Sequence, residues 1–109
     1  DRQKMEYLLL IHKNSETPPS ESEWNEFFEE ANGTGMFQGG SQLGSTRVFG
    51  REEIPNSTNQ IGGFMRFETS KVKELESLLT KNPVVKNGGS IELIEMPKTT
   101  NPKEPIQTH

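Results

Sequence analysis

The sequence predicts an α+β fold in which one antiparallel sheet carries two helices on one of its faces. Its apolar pattern alternates between strand-like and helix-like segments, and the predicted order of elements is β-α-β-β-β-α-β. Several strands carry apolar residues at both parities, which is expected of strands that are covered on both faces. The order reduces to the split βαβ, ferredoxin-like plan with one short extra or bent strand. A chain of 109 residues is long enough for one such domain without disulfides or metals.

The first strand is predicted over Met5 to His12, and a strand central to the fold is predicted over residues 60–67. The apolar side chains of the first strand fall on both faces, with Tyr7, Leu9 and Ile11 on one and Leu8 and Leu10 on the other. The central strand contains Gly62-Gly63, a pair that leaves room for a close neighbour, a bulge or a ligand. Because the helices cover only one face, we expect a homodimer through the open sheet face, by an isologous contact.

The first helix is predicted to begin at Ser20, with Glu23 completing a capping box, and to stop at Asn32-Gly33. Its apolar residues recur at helical spacing, which indicates a core-facing stripe opposite an acidic solvent face. The stripe consists of Trp24, Phe27, Phe28 and Ala31.

The second helix is predicted to be capped by Ser70 or Thr69 and to end at Asn82-Pro83. Its apolar stripe consists of Val72, Leu75, Leu78 and Leu79. Residues 84–89 are predicted to be a connection, and residues 90–96 the last strand.

Two further strands are predicted between the helices. Residues 35–44 are rich in glycine and fit a short, bent strand with glycine bulges. A nucleotide-binding glycine loop is rejected there, because the segment follows a helix and Gln38 stands at the third glycine position. Residues 46–54 are predicted to form the next strand, with Arg47, Phe49 and Arg51 on one face.

Composition limits the classes of function. The net charge is −4 and the basic residues form no cluster, which argues against nucleic-acid binding. No apolar run is long enough for a membrane span, and no cysteine is present to form disulfides, thiolate nucleophiles or cysteine metal sites. We therefore expect a cytoplasmic protein. Its folded domain is predicted over residues 5–96, followed by a flexible C-terminal tail over residues 97–109.

His12 is the one histidine of the predicted domain, at the exit of the first strand, where the mouth of a pocket would lie. Histidine titrates near neutral pH and acts as a general base when a carboxylate orients it. Glu68 or Glu92 would have to supply that carboxylate. The alternative is that His12 hydrogen-bonds to the backbone at the end of its strand.

Arg47 and Arg66 are candidates for binding an anionic ligand, together with Glu92 and Gln42. A guanidinium in a strand must be paired, and it can receive a carboxylate or a phosphate in a bidentate clamp. The alternative is that these arginines pair with glutamates across strands or across a dimer interface. One histidine and scattered glutamates do not make a structural zinc site, and no cofactor is expected.

Five segments follow one another in an order that resembles a known family. They are residues 5–11, the helix from Ser20, Gly39-Gly40-Ser41-Gln42-Leu43, Ile61-Gly62-Gly63-Phe64, and Asn82-Pro83 leading to Gly88-Gly89-Ser90-Ile91-Glu92-Leu93. Over residues 5–96 the chain resembles YCII-related domain proteins, including the branch named for an Asp-Gly-Pro-Phe motif. The resemblance implies a dimeric ferredoxin-like fold with a pocket at the edge of the sheet. For some members it implies a small-molecule enzyme with a His and Asp pair.

The chain departs from that family at the residues of the implied active site. Its one aspartate is Asp1, and Ile54-Pro55-Asn56-Ser57 stands near the place of the Asp-Gly-Pro-Phe motif. Three hypotheses of function follow. The first is a homodimer that binds a small anionic organic molecule; the second is a lyase or isomerase that uses His12 as acid and base. The third is a non-catalytic accessory protein that acts through protein–protein contacts of its tail or acidic helix.

Overall fold

The computed structural model describes residues 3–51 and 58–97. Within these ranges the chain forms a four-stranded antiparallel sheet and three helices, which confirms the α+β class. In chain order the elements are β1 (Met5–His12), α1 (Glu21–Thr34), β2 (Phe37–Gln42), β3 (Ile61–Thr69), α2 (Val72–Leu79), α3 (Pro83–Lys86) and β4 (Ile91–Met96). A 3-10 turn over Thr58–Gln60 precedes β3. The strand order is β2-β3-β1-β4, so β1 and β3 are the inner strands.

The strand register divides the sheet into a packed face and an open face. Leu9 of β1 lies opposite Met65 of β3 and Leu93 of β4, and these side chains point toward the hydrophobic core. Side chains of a strand alternate between faces, so the neighbouring positions point the other way. We call that side the open face; its apolar members are Leu8, Leu10, Phe64, Ile94 and Met96. Ile94 is 40% exposed.

Both longer helices pack on the same side of the sheet. Phe27 and Ala31 of α1 are buried in one cluster with Phe67 of β3. Leu75, Leu78 and Leu79 of α2 are buried in the same cluster, with Val72 packed against it, as the predicted stripe requires. Burial of these apolar side chains is the main term that holds the helices to the sheet.

The capping box at the start of α1 is present as predicted. The backbone N–H of Glu23 donates to Oγ of Ser20 at 3.1 Å, and the N–H of Ser20 donates to Oε1 of Glu23 at 2.8 Å. The other carboxylate oxygen of Glu23 accepts a hydrogen bond from the side chain of Asn87 at 3.1 Å. The Ser20 N–H, and next the Asn87 amide, lower the pKa of Glu23. The helix stops two residues later than predicted, at a left-handed Gly35 with φ 77°.

The region around α2 and α3 differs from the prediction. Neither Ser70 nor Thr69 caps α2, whose N-cap is Lys71, without a side-chain hydrogen bond. Oγ1 of Thr69 instead accepts from the N–H of Lys71 at 2.9 Å. α2 ends at Leu79, before the predicted stop at Asn82-Pro83. Asn82 instead starts α3, because its Oδ1 accepts from the N–H of Val84 at 2.8 Å. An Asn cap followed by Pro at the first helical position is a known signal for the start of a helix. The prediction of a connection over residues 84–89 was wrong in part, because Pro83–Lys86 forms a short helix.

The two segments predicted as strands between α1 and β3 have different outcomes. The bent strand is confirmed as β2, with a register shift between Phe37 and Gly39. The predicted strand over residues 46–54 is wrong in its described part, because residues 43–51 are irregular. Phe49 is 88% exposed there, and Gly50 has a φ of 86° that interrupts an extended chain. Residues 52–54, like the predicted tail from residue 98 on, lie outside the described residues.

Candidate functional site

A cavity of about 500 Å³ lies where the end of β1, the end of β2 and the start of β3 meet α1. Its walls come from these four elements, from the connection between β1 and α1, and from Val84 of α3. The size is typical of sites for small organic molecules. A concavity therefore lies at the exit of β1, where the mouth of a pocket was predicted.

Aromatic side chains form one wall of the cavity. Trp24 and Phe28 of α1 stack with their ring centroids 5.7 Å apart, and Phe37 of β2 lies 6.1 Å from Phe28. The predicted core stripe is only partly buried, because Phe27 and Ala31 are buried whereas Phe28 is 37% exposed. Aromatic faces of this kind can bind the ring of a planar ligand.

Glycines of β2 and β3 line the cavity beside this wall. A Cβ atom added to Gly40 would overlap the carbonyl oxygen of Phe64, and one added to Gly63 would lie 3.0 Å from the carbonyl oxygen of Ser41. Both glycines therefore allow a close approach of the two strands, which for Gly63 was one of the reasons predicted for the pair Gly62-Gly63. They also leave this part of the cavity surface as bare backbone.

His12 lines the cavity and is paired with a carboxylate. Its Nε2 lies 2.6 Å from Oε1 of Glu92 on β4. The backbone N–H of His12 donates to the carbonyl of Ser90 at 3.1 Å, and the β1–β3 register shifts between Ile11 and His12. The ring is thus oriented from β4 by one of the two carboxylates that the sequence offered.

Polar residues at the strand ends complete the lining. Gln42, a predicted ligand-binding residue, lies at the end of β2, and the N–H of the following Leu43 donates to the carbonyl of Gly62 at 3.0 Å. Lys13 follows His12, and its N–H donates to the carbonyl of Gln60 at 2.7 Å. These bonds tie the two strand ends to the start of β3, so both side chains leave from well-defined backbone.

The predicted arginines are not brought to this cavity. Arg47 is exposed in the irregular segment after β2 and does not line it. Arg66 lies midway along β3, where its guanidinium donates to the carbonyl of Gln38 at 3.1 Å. It lines a separate small depression together with Glu6 and Glu68. The cavity therefore includes His12 and Gln42, Glu92 contacts His12 from β4, and neither arginine lines the cavity.

Two features of the cavity were not predicted from the sequence. They are the place of Lys13 in its lining and the partial exposure of the aromatic residues of α1. Lys13 was not singled out from the sequence, although it directly follows the histidine at the strand exit and lines the cavity. Three large aromatic residues on one helix, Trp24, Phe27 and Phe28, are more than the small sheet beneath can bury. That excess was the available signal.

Comparisons with known families and curated proteins assign no function, so the proposal below is based on the geometry of the cavity. No model of a known protein family matches the chain, and no curated protein matches its sequence. Across residues 3–51 and 58–97, no helix has the length and apolar character needed to cross a lipid bilayer. Over the same residues, no three histidine, cysteine or acidic side chains are grouped as a metal ion would require.

Proposed function

We propose that this protein binds a small, mostly apolar organic anion in the cavity between α1 and the sheet. The observation that carries the proposal is the composition of the cavity, whose lining combines aromatic residues, among them Trp24, Phe28 and Phe37, with a few polar groups. Apolar walls supply affinity in such sites, and the polar groups fix the orientation of the ligand. The ring of the ligand packs against Trp24 and Phe28, and its polar end lies toward His12 and Gln42.

Fluorescence offers a direct test, because Trp24 is the one tryptophan of the chain. The probe is 8-anilinonaphthalene-1-sulfonate, an aromatic anion, and the signal is energy transfer from Trp24 to the bound dye. We expect saturable binding that weakens by roughly tenfold in Phe28→Ala, since a stacked aromatic contact and its buried area are lost.

Phe49→Ala is the matched control, because Phe49 is exposed and does not line the cavity. It should leave the dye affinity unchanged. Equal effects of the two substitutions would show that the dye binds elsewhere and would remove the support for this function.

A second candidate is acid–base catalysis of a lyase or isomerase reaction on small cyclic or acidic metabolites, with His12 as acid and base. The contact of 2.6 Å between His12 and Glu92 favours it, because a carboxylate that holds one ring nitrogen orients the other toward a substrate. His12→Gln should then abolish turnover while binding persists. Under the binding function alone, no turnover exists to be lost.

We also propose that the chain has a ferredoxin-like fold and forms a homodimer. The strand order β2-β3-β1-β4, with α1 after β1 and α2 after β3, supports a split βαβ arrangement. The apolar residues of the open face support cover by a second copy through an isologous contact. The resemblance to YCII-related proteins supports the same assembly. We carry over fold and dimer from that family and not its His and Asp chemistry, because the one aspartate of the chain is Asp1, which precedes the first strand.

A further inference from the structure

We propose that Lys13 binds the acidic group of the ligand, that Gly62 is a positioning residue for Lys13, and that the ligand is an aromatic carboxylate. This inference rests on the proposed function. It adds to that function the residue that recognises the charge and the reason why its side chain lies where it does.

Lys13 is the available cation of the cavity. In the described part of the chain the ion pairs are His12–Glu92, Lys71–Glu74 and Lys81–Glu30, so the ammonium of Lys13 has no carboxylate partner there. Lys13 is also exposed, which keeps its charge hydrated and leaves it free to meet an anion. The two arginines that the sequence suggested for this task do not line the cavity.

Gly62 accommodates the stem of Lys13. A Cβ atom added to Gly62 would lie 3.2 Å from Cγ and 3.6 Å from Cε of Lys13. The backbone of Gly62 is not in the left-handed region, so its conformation does not require glycine. What the missing side chain provides is the space along which the methylene groups of Lys13 lie. Gly63 differs, because its neighbour is the backbone of Ser41.

The backbone on both sides holds this arrangement. Lys13 is tied to the 3-10 turn before β3 through the carbonyl of Gln60, and Gly62 is tied to the end of β2 through the N–H of Leu43. The Cα atom from which the lysine leaves and the glycine over which it lies are therefore both anchored. A side chain that starts from fixed backbone and follows a fixed surface loses less conformational freedom when it binds an anion.

The ligand class follows from the two halves of the cavity. Trp24, Phe28 and Phe37 offer apolar ring faces, which suit a planar aromatic body. An ammonium at the other side forms a charge-assisted hydrogen bond with a carboxylate. A neutral aromatic molecule of the same shape packs against the aromatic side chains but cannot form the charge-assisted hydrogen bond with Lys13.

A pair of probes of equal shape separates the two contacts. Calorimetric titration of the full chain with 2-naphthoate and with neutral 2-naphthamide should show about tenfold tighter binding of the carboxylate. Lys13→Met removes the charge and keeps the length of the side chain, so it should abolish this preference and leave naphthamide binding unchanged. Lys73→Met, on the exposed side of α2, should retain the preference.

Gly62→Ala tests the positioning role. The added methyl group forces the stem of Lys13 away, and we expect naphthoate binding to weaken by roughly two- to tenfold with naphthamide binding unchanged. In the Lys13→Met background the same substitution should have no further effect on naphthoate, because the lysine through which it acts is gone. Gly33→Ala is the control, since a Cβ at Gly33 meets no atom within 4 Å.

The outcomes distinguish this inference from the proposed function. If neither probe binds the wild-type protein, the function fails and the inference fails with it. If both bind with equal affinity, or if Lys13→Met keeps the preference for naphthoate, the cavity binds ligands but Lys13 is not its anion-binding residue. If Gly62→Ala weakens both probes alike, or is additive with Lys13→Met, Gly62 does not act through the lysine.

Discussion

The side chain of Glu92 on β4 contacts His12 on the neighbouring strand β1, with 2.6 Å between Oε1 and Nε2. In the β1–β4 register Glu92 lies opposite Leu10, two residues before the histidine. The side chains of His12 and Glu92 are 24% and 57% exposed. Ion pairs in such surroundings contribute little to stability because water and salt screen them. We infer that the pair orients the imidazole and does not hold the strands together.

A double-mutant cycle can check this inference. The variants His12→Ala, Glu92→Ala and their combination should give a coupling free energy below about 1 kcal/mol in urea unfolding. The exposed pair Lys81–Glu30, with 3.0 Å between its charged atoms, serves for comparison. A coupling several times larger than that of the comparison pair would assign the contact a structural role.

The pH dependence of stability should carry a contribution from Glu23. Its pKa in the folded protein lies below the ordinary value of 4.5, because the Ser20 N–H and the Asn87 amide stabilise the charged form. The contribution is therefore fully present above pH 4.5 and is lost as the pH falls through the lowered pKa. Glu23→Gln should remove this part of the acid destabilisation in urea melts recorded between neutral and acidic pH. Glu29→Gln, on the same helix, controls for the change in net charge, and identical profiles for both variants would contradict the prediction.

Phe67 should be among the most sensitive positions of the core. Its side chain is fully buried between the sheet and the helices, and it contacts Phe37 with ring centroids 5.5 Å apart. Phe67→Ala should lower the free energy of unfolding by about 3–5 kcal/mol, through lost burial and the cavity left behind. Phe49→Ala, at a largely exposed position, should change it by less than about 0.5 kcal/mol. Chemical denaturation of the two variants measures the contrast, which would vanish if Phe67 were not a core residue.

The proposed dimer depends on the open face. Leu10 lies near the middle of that face, opposite Phe64 and Glu92. Leu10→Lys should convert the dimer to a monomer while the circular dichroism spectrum stays that of the folded chain, because a charged group is costly to bury at an apolar contact. Leu43→Lys places the same charge at an exposed position outside the sheet and should leave the dimer intact. Light scattering at micromolar protein concentration decides, and a monomeric wild-type protein would contradict the proposal.

Much of the fold could be predicted because local patterns determine it. The eight residues of β1 follow from apolar side chains at both parities, and the start of α1 follows from Ser20 and Glu23. The strand predicted around Val48 and Phe49 failed because a strand pattern needs a pairing partner. Those side chains remain largely exposed in the structure. Pairing is a property of the whole sheet and cannot be read from one segment.

The site was predicted less completely for a related reason. His12 and Gln42 stand at strand ends, where a pocket is expected, and the cavity includes both. Arg66 was misplaced because its position depends on register, which sets it opposite Leu8 and Gly39, away from the start of β3. One sequence does not determine register when both parities of a strand are apolar. The space beside Gly62 that Lys13 occupies depends on the same three-dimensional information.

The strand order also has a consequence for synthesis on the ribosome. β1 is translated before the other strands of the sheet, yet both of its neighbours, β3 and β4, come from the second half of the chain. About 50 residues separate the end of β1 from the start of β3, and at roughly 5–20 residues per second their translation takes several seconds. During that interval the backbone groups of an apolar strand have no ladder partner on either edge. An apolar strand with unpaired edges is a template for pairing with other chains, so β1 is exposed to such pairing until β3 and β4 follow.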